Sequence, residues 1–307
     1  MGLGSLPVGE PGSQAWGISA NGGVIVGSGR SSYQPEAFRW TISGGMVGLG
    51  FLPGAFDSRA YAASADGSAI VGKSGSEAFL WTSGGGMVGL GTPSEAFGIS
   101  ADGSVIVGGV SDNSSYRGNQ AFRWTSDAGM VGLGDLYNVP GIWDSIAFGV
   151  SADGGAVVGS SGGSLFSYVQ AFLWTSDGGM VGLGYLPGGQ HQSNASAVSA
   201  GGSVVVGSSL TAASGDPEAF VWTESQGMLR LLDVLVANGA TGLMGFTLVN
   251  ANAISADGQW VAGYGINPNG GGEAFLANIS PVPVPPAVWL FGSALGALGW
   301  LRRKTAS

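Results

Sequence analysis

The chain has 307 residues, no cysteine and a formal net charge of −9, and only 9% of its residues are charged. The absence of cysteine excludes disulfides, thiol nucleophiles and thiolate-bound metals. Three of the ten basic residues lie at 302–304 and every acidic residue precedes position 281, so the rest of the chain carries a net charge of −12. A body of that sign repels phosphate, which excludes nucleic acid as a partner.

One phrase recurs along the chain, Ala-Phe-x-Trp-Thr followed by Gly-Met-Val-Gly-Leu-Gly. Full copies begin at Ala37, Ala78, Ala121 and Ala171, and weaker ones at Ala219 and Ala274. Before each copy lie an Ala-x-Gly-Ile-Ser-like run and a Val-Ile-Val-Gly-like run, joined by a Ser-Ala-Asp-Gly-like turn. Asp-Gly between two apolar runs indicates a hairpin, because glycine accepts a positive φ. The repeats therefore predict an all-β fold of four-stranded antiparallel sheets.

Six such repeats predict a six-bladed β-propeller over residues 1–279. The first run is built from small residues, as expected of an innermost strand, and the Phe and Trp of the third run share one strand face and would pack between blades. The sixth repeat has no fourth run, whereas residues 1–7 match a fourth run and its exit. We therefore expect the N-terminal strand to complete the last blade and close the ring.

Alternating strand directions would bring the long, variable loops together on one face, where binding residues concentrate. The candidate ligand residues on this variable face are Tyr33, Tyr116, Arg117, Tyr137, Trp143 and Tyr168. The same face carries His191, the only histidine, which we interpret as a solvated loop residue. A helical turn is expected near residues 233–239.

The sequence predicts no catalytic, metal or cofactor-binding residues. The turn aspartates, Asp66, Asp102, Asp153 and Asp257, each offer at most one carboxylate, whereas calcium takes 6–8 oxygen ligands. A structural role in the turn is the better interpretation. Paired carboxylates for glycoside chemistry would have to come from acids that are scattered over polar loops.

The composition changes at residue 280. Residues 280–286 form a proline-rich spacer, and the uncharged residues 287–301 end in Arg302, Arg303 and Lys304. A spanning helix needs about 20 apolar residues, so this run is short. The cations that follow it nevertheless favour a membrane helix, with the repeats outside, over a helix docked on the sheets.

The order of proline motif, apolar helix and basic cluster in residues 280–307 resembles a PEP-CTERM sorting signal. The matching residues are Val282, Pro283, Val284, Pro285, Pro286, Arg302, Arg303 and Lys304. Val284 stands where the Val-Pro-Glu-Pro form has glutamate, so the tail is closer to the Val-Pro-Leu-Pro-Ala variant. The resemblance implies export in a Gram-negative, exopolysaccharide-making bacterium, transient anchoring in the inner membrane, and processing by an exosortase-type membrane protease before release to the cell surface or beyond.

Residues 1–279 resemble extracellular HAF repeats, which are named for a His-Ala-Phe at the start of the third run. The histidine position holds Glu36, Glu77, Gln120, Gln170, Glu218 and Glu273, so no role that needs histidine is carried over. The resemblance implies a propeller-like protein outside the cell. Residues 1–16 have no signal-peptide pattern, so we expect the natural start to lie upstream or the chain to be shortened.

These features favour a non-catalytic, exported propeller that is a structural or glycan-interacting component of the extracellular matrix, with exopolysaccharide as a partner. The alternative is a polysaccharide hydrolase or lyase on the same scaffold, which would need converging acids or a Tyr/Arg/His cluster. A third hypothesis is a cytosolic protein-docking propeller, which an upstream signal peptide would exclude.

Overall fold

The computed structural model describes residues 2–7, 12–31, 34–111, 119–137, 144–162, 168–211 and 216–280. In these segments the strands form six antiparallel sheets that follow one another along the chain, and we call each sheet a blade. A single short helix among the described residues, α1 (Leu231–Ala237), follows blade 5 and accounts for the helical turn expected there.

The strands of each blade are consecutive in the chain. Blade 1 contains β1 (Ser13–Ile18), β2 (Ile25–Ser31), β3 (Gln34–Thr41) and β4 (Gly45–Gly48). Blade 2 contains β5 (Ser58–Ala63), β6 (Ala69–Ser74), β7 (Glu77–Thr82) and β8 (Gly86–Gly89). Blade 3 contains β9 (Ser94–Ile99), β10 (Ile106–Ser111), β11 (Asn119–Thr125) and β12 (Gly129–Gly132).

Blades 4 to 6 continue the series. Blade 4 contains β13 (Ser145–Val150), β14 (Ala156–Ser161), β15 (Gln170–Thr175) and β16 (Gly179–Gly182). Blade 5 contains β17 (Ser193–Val198), β18 (Val204–Leu210), β19 (Pro217–Thr223) and β20 (Gly227–Arg230). Blade 6 contains β21 (Thr247–Ile254), β22 (Trp260–Ile266) and β23 (Gly272–Asn278).

The first two strands of blades 2, 3, 4 and 6 are joined by the predicted Asp-Gly hairpin. In blade 2 the Asp66 carboxylate accepts hydrogen bonds from the Ser64 hydroxyl at 2.8 Å and the Ser68 N–H at 2.9 Å, and Gly67 has a φ of 72°. In blade 1 Asn21 accepts the equivalent bonds from Ser19 and Gly23. The turn residues are therefore structural, as the sequence predicted.

The core lies between blades rather than within one. Between blades 1 and 2, for example, Val26 and Ala37 pack against Ile70 and Phe79, with Trp81 at the margin. The third-strand phenylalanines of blades 1 to 5 are fully buried, which confirms that the Phe/Trp face packs between sheets. The first strands of neighbouring blades contact one another, so the first strand is innermost. Meander sheets stacked in this way are the architecture of a β-propeller.

The end of the array differs from the prediction. Blade 6 has three strands, and residues 2–7 form no strand, so the expected completion of blade 6 by the N-terminal segment is wrong for these residues. Leu6 instead packs on Phe38 and Met46 of blade 1, and the Ser13 hydroxyl donates to the Gly4 carbonyl at 2.9 Å. Residues 4–6 thus occupy the position of an interblade linker. Their sequence matches the segment that follows the fourth strand in other blades.

The spacer, the predicted apolar helix at 287–301 and all the sorting-signal residues lie outside the described residues, apart from Ser280. Within the described segments, no helix combines the length and the apolar composition needed to cross a membrane.

Candidate functional site

Two of the six predicted ligand residues come together on the variable face, beside the junction of blades 4 and 5. Tyr137 lies in the linker after β12, and Tyr168 lies just before β15. The other four, Tyr33, Tyr116, Arg117 and Trp143, lie outside the described residues.

Tyr168 contacts His191, for which the sequence predicts a solvated position in a loop. The rings of Tyr168 and His191 are 4.9 Å apart at 85°, and those of Tyr185 and His191 are 5.2 Å apart at 86°. The imidazole is therefore held edge-to-face between two tyrosines, and it stays exposed to solvent. We call Tyr137, Tyr168, Tyr185 and His191 the Tyr–His cluster.

Backbone hydrogen bonds hold the two halves of the Tyr–His cluster together. Val169 and Gln192 form a parallel bridge, in which the Val169 N–H donates to the His191 carbonyl at 3.0 Å. The Ser193 N–H returns a bond to the Val169 carbonyl at 2.8 Å. Leu186, beside Tyr185, is buried between the blades and anchors the linker. The exposed rings therefore stand on rigid backbone, which suits binding.

Tyr137 contributes the fourth side chain of the Tyr–His cluster. Its N–H donates to the Asp135 carboxylate at 2.8 Å, and its ring lies so close to Gly162 that a Cβ there would sit 2.9 Å from it. Partial burial, together with a hydrogen bond to the Tyr137 side chain, raises the pKa of Tyr185 to about 12. The Tyr185 phenol is therefore neutral at physiological pH and available as a hydrogen-bonding group.

A second aromatic feature runs along the innermost strands. Trp16, Tyr61, Phe97 and Phe148 each occupy the extra position of a β-bulge in blades 1 to 4. Their ring centroids follow one another at 6.4, 5.5 and 5.8 Å. Bulges re-aim side chains, and here they aim one aromatic ring per blade in a continuous row. The corresponding residues of blades 5 and 6 are Ser196 and Asn252.

A cleft of about 330 Å³ opens beside this aromatic row, at the start of blade 3. Its walls include Phe97, Asn119 and Ile146, together with the ion pair of Lys73 and Glu95. Because the ion pair neutralises itself, the described walls of the cleft offer an aromatic surface and polar groups without a net charge.

The chemistry of both features is that of hydroxyl, amide and ring contacts. None of the described residues forms a group of three or more His, Asp or Glu side chains able to hold a metal ion. Hydrogen bonds from neighbouring serine hydroxyls and backbone N–H groups lower the pKa of all four turn aspartates, Asp66, Asp102, Asp153 and Asp257.

Sequence reasoning missed Tyr185, His191 and the bulge aromatics as site residues. Tyr185 occupies a linker position that holds Phe51 or Asp135 elsewhere, so it carries no repeat signal. The variable position of Ala-x-Gly could have indicated the aromatic row, since it holds an aromatic residue in the first four repeats.

No protein-family model matches this chain, and no curated protein matches its sequence. Solved structures that are similar to this chain include a putative TolB from Agrobacterium tumefaciens, with 17% sequence identity and a TM-score of 0.49. The match covers 87% of this chain and 89% of that one. TolB from Acinetobacter baumannii has 15% identity and a TM-score of 0.47, and the match covers 69% of this chain but only 52% of TolB. Oligogalacturonate lyase from Vibrio parahaemolyticus has 11% identity, a TM-score of 0.43 and coverage of 86% and 88%. Similarity at this level assigns no family and no function to the chain.

Proposed function

We propose that this protein is a non-catalytic, exported propeller that binds neutral polysaccharide in the extracellular matrix through its variable face. The observation that carries the proposal is the Tyr–His cluster, in which exposed Tyr168 and His191 rings are held in fixed contact by paired backbone. Pre-ordered rings lose little conformational freedom when a ligand binds.

The Tyr–His cluster fits sugars because it joins flat apolar surface to hydrogen-bonding groups. A pyranose presents C–H groups on its faces and hydroxyls at its edge, and tyrosine offers an apolar ring with a polar tip. The aromatic row and the cleft beside Phe97 would add a second surface of the same chemistry across blades 1 to 4. The net charge of −9 disfavours an acidic polymer, so we propose a neutral one.

The test is affinity electrophoresis of the full chain in gels that contain neutral exopolysaccharide, supported by a glycan array. We expect Tyr168→Ala to weaken binding by about 1–2 kcal/mol, roughly five- to thirtyfold, because it removes an exposed anchor ring. Tyr264→Ala is the matched control, since Tyr264 is 46% exposed and Tyr168 is 45% exposed, and Tyr264 lies on blade 6 away from the Tyr–His cluster. Equal losses in both variants, or no binding by the parent chain, would contradict the proposal.

The same experiment separates binding from the alternative of a hydrolase or lyase. Histidine and tyrosine are common general acids and bases, so the Tyr–His cluster is where such chemistry would reside. Prolonged incubation should leave the polymer length unchanged, and a shortened polymer whose cleavage requires His191 would establish the enzyme instead.

In this proposal, the C-terminal tail is the signal that directs the protein out of the cell. Residues 282–286 would be recognised by the exosortase-type protease while residues 287–301 lie in the inner membrane and residues 302–304 stay on the cytoplasmic side. The intact mass of the protein recovered from the cell surface tests this, because a mature chain that still ends in residues 302–307 would rule out processing.

A further inference from the structure

A second cleft, of about 400 Å³, lies between blades 4 and 5. The turn between the last two strands of blade 4 forms one wall, and the first hairpin of blade 5 forms the other. Both turns lie on the face opposite the variable one, because successive strands alternate in direction. The volume is in the range of about 300–1,000 Å³ that small-molecule sites occupy. We call it the Trp222 cleft; its lining includes Leu173, Val181, Gly202, Trp222 and Glu224.

The floor of the Trp222 cleft is apolar and fixed in position. Leu173 and Trp222 pack against the buried core between blades 4 and 5, and both side chains remain partly exposed. Val181, on the outer strand of blade 4, is exposed at the rim. At the inner end Gly202 lies so close to blade 4 that a Cβ there would be 2.9 Å from the Cβ of Ala156. The cleft is therefore closed at its inner end, and the tryptophan is already held in place before a ligand arrives.

The Glu224 carboxylate gives the Trp222 cleft a negative charge. It is the one charged side chain among the described residues that line the cleft, and it forms no ion pair within the described segments. Positions 124 to 229 of the chain contain no lysine or arginine. At the position of Glu224, blades 1 to 4 have Ile42, Ser83, Ser126 and Ser176. The carboxylate is therefore not part of the repeat, and it stands without a cation of the same blades.

At two other junctions the chain itself provides a cation at the corresponding place. Arg39 of blade 1 and Arg123 of blade 3 have the ladder position of Leu173, since each pairs with the valine of its fourth strand. The Nε atom of Arg123 is buried and has no hydrogen-bond partner among the described residues. Trp81 and Trp174 lie at the margins of these two junctions. A junction of this kind therefore accommodates a cationic group, and the Trp222 cleft has Leu173 in its place.

We propose that the Trp222 cleft binds a small organic cation, an ammonium group carried on a compact apolar or sugar frame. A cation near the face of an aromatic ring is attracted by the ring quadrupole, and tryptophan gives the strongest attraction. The Glu224 carboxylate adds ionic attraction, and Leu173 and Val181 offer apolar contact to the carbon atoms beside the charge. The cleft lies on the face opposite the Tyr–His cluster, so this binding does not depend on the proposed polysaccharide site.

The test is an NMR titration of the ¹⁵N-labelled full chain, followed through the tryptophan indole N–H signals. The signal of Trp222 is identified by its loss in Trp222→Phe. Choline is compared with 3,3-dimethylbutan-1-ol, which has the same shape but a carbon atom in place of the charged nitrogen. We expect choline to shift the Trp222 signal and the carbon analogue to bind about tenfold more weakly. Glucosamine and N-acetylglucosamine form a second pair, which distinguishes an amino sugar from a methylated ammonium group.

Leu173→Arg is the most direct variant, because it installs the side chain that blades 1 and 3 already have at this position. The guanidinium would occupy the cleft, and we expect at least about tenfold weaker binding of the cation. Glu224→Gln should weaken binding about two- to fivefold. Asp127→Asn is the matched control, since it makes the same change of charge at an exposed acid in the corresponding turn of blade 3, and it should bind like the parent.

Three outcomes would overturn the proposal. The first is a parent chain whose Trp222 signal responds to neither choline nor glucosamine. The second is equal binding of each cation and its uncharged partner, because the cleft would then recognise shape alone. The third is undiminished binding by a folded Leu173→Arg variant, which would place the cation elsewhere on the protein.

Discussion

At the scale of the residue, one buried serine joins successive blades. Ser145 begins blade 4; its hydroxyl accepts a hydrogen bond from the Ala121 N–H of blade 3 at 2.9 Å and donates to the Gly134 carbonyl of the linker at 2.6 Å. Ser58, Ser94 and Ser193 make the same pair of bonds at the junctions of blades 1 and 2, 2 and 3, and 4 and 5. Each serine satisfies polar backbone that would otherwise be buried without a partner.

We expect Ser145→Ala to lower the free energy of unfolding by about 1–3 kcal/mol, because the Ala121 N–H would stay buried and unsatisfied. Ser13→Ala is the control, since the Ser13 hydroxyl is exposed where it donates to Gly4, and it should change stability by less than about 0.5 kcal/mol. Urea titration at neutral pH, followed by tryptophan fluorescence, measures both. Equal shifts in the two variants would show that the interblade serine is not a stabilising bridge.

A second contact between single residues places a glutamate against a glycine of the same blade. Glu36 lies across Gly48, where a Cβ would overlap its carboxylate, and accepts a bond from the Gly50 N–H at 3.1 Å. In blade 5 the glycine is replaced by Arg230, and Glu218 forms an ion pair with that guanidinium instead. The acid before Ala-Phe therefore has a structural role in blades 1 and 5.

At the scale of the element, the bulge in the first strand of each blade requires a glycine in the second strand. In blade 3 the ladder skips Phe97, and the Glu95 carbonyl then lies so close to Gly108 that a Cβ there would overlap it. The same conflict occurs at the equivalent glycine in every blade. The bulge aims the aromatic ring, and the glycine makes room for the bulge.

We therefore expect Gly108→Ala to destabilise the protein by about 1–3 kcal/mol through overpacking against backbone that cannot move aside. Gly109→Ala, one residue along the same strand, is the control, because a Cβ there would meet Ile146 at an ordinary 3.7 Å. Thermal unfolding by circular dichroism distinguishes them. A similar Tm for the two variants would mean that the bulge relaxes freely and does not constrain the second strand.

At the scale of the whole molecule, the turn aspartates of blades 2, 3, 4 and 6 together make the stability of the fold depend on pH. Serine hydroxyls and backbone N–H groups lower the pKa of Asp66 and Asp102 to about 2, and they lower those of Asp153 and Asp257 in the same way. A carboxyl with a depressed folded-state pKa stabilises the fold above its unfolded value of about 3.9, and this contribution is lost as the pH falls towards about 2. We expect the urea midpoint to fall over that interval.

Replacing all four aspartates with asparagine, the residue that blade 1 already has at Asn21, should flatten this acid dependence while preserving the turns. The measurement is the urea midpoint as a function of pH for the parent and the fourfold variant. An unchanged slope in the variant would assign the acid sensitivity to other carboxylates.

The sequence by itself determined the repeating unit. Hairpins, strand order, the innermost first strand and the buried Phe/Trp face follow from turn chemistry and side-chain alternation, which act over a few residues. The same local patterns indicated that the loops of Tyr137 and Tyr168 share one face.

Only the tertiary structure decided the ends of the array and the composition of the site. The sequence of residues 2–7 matches both a fourth strand and the linker that follows it. Packing of Leu6 on Phe38 places these residues as a linker. Tyr185 and His191 joined Tyr168 because the backbones at Val169 and Gln192 pair across two loops. These outcomes depend on contacts between segments far apart in the chain, and no local pattern specifies such contacts.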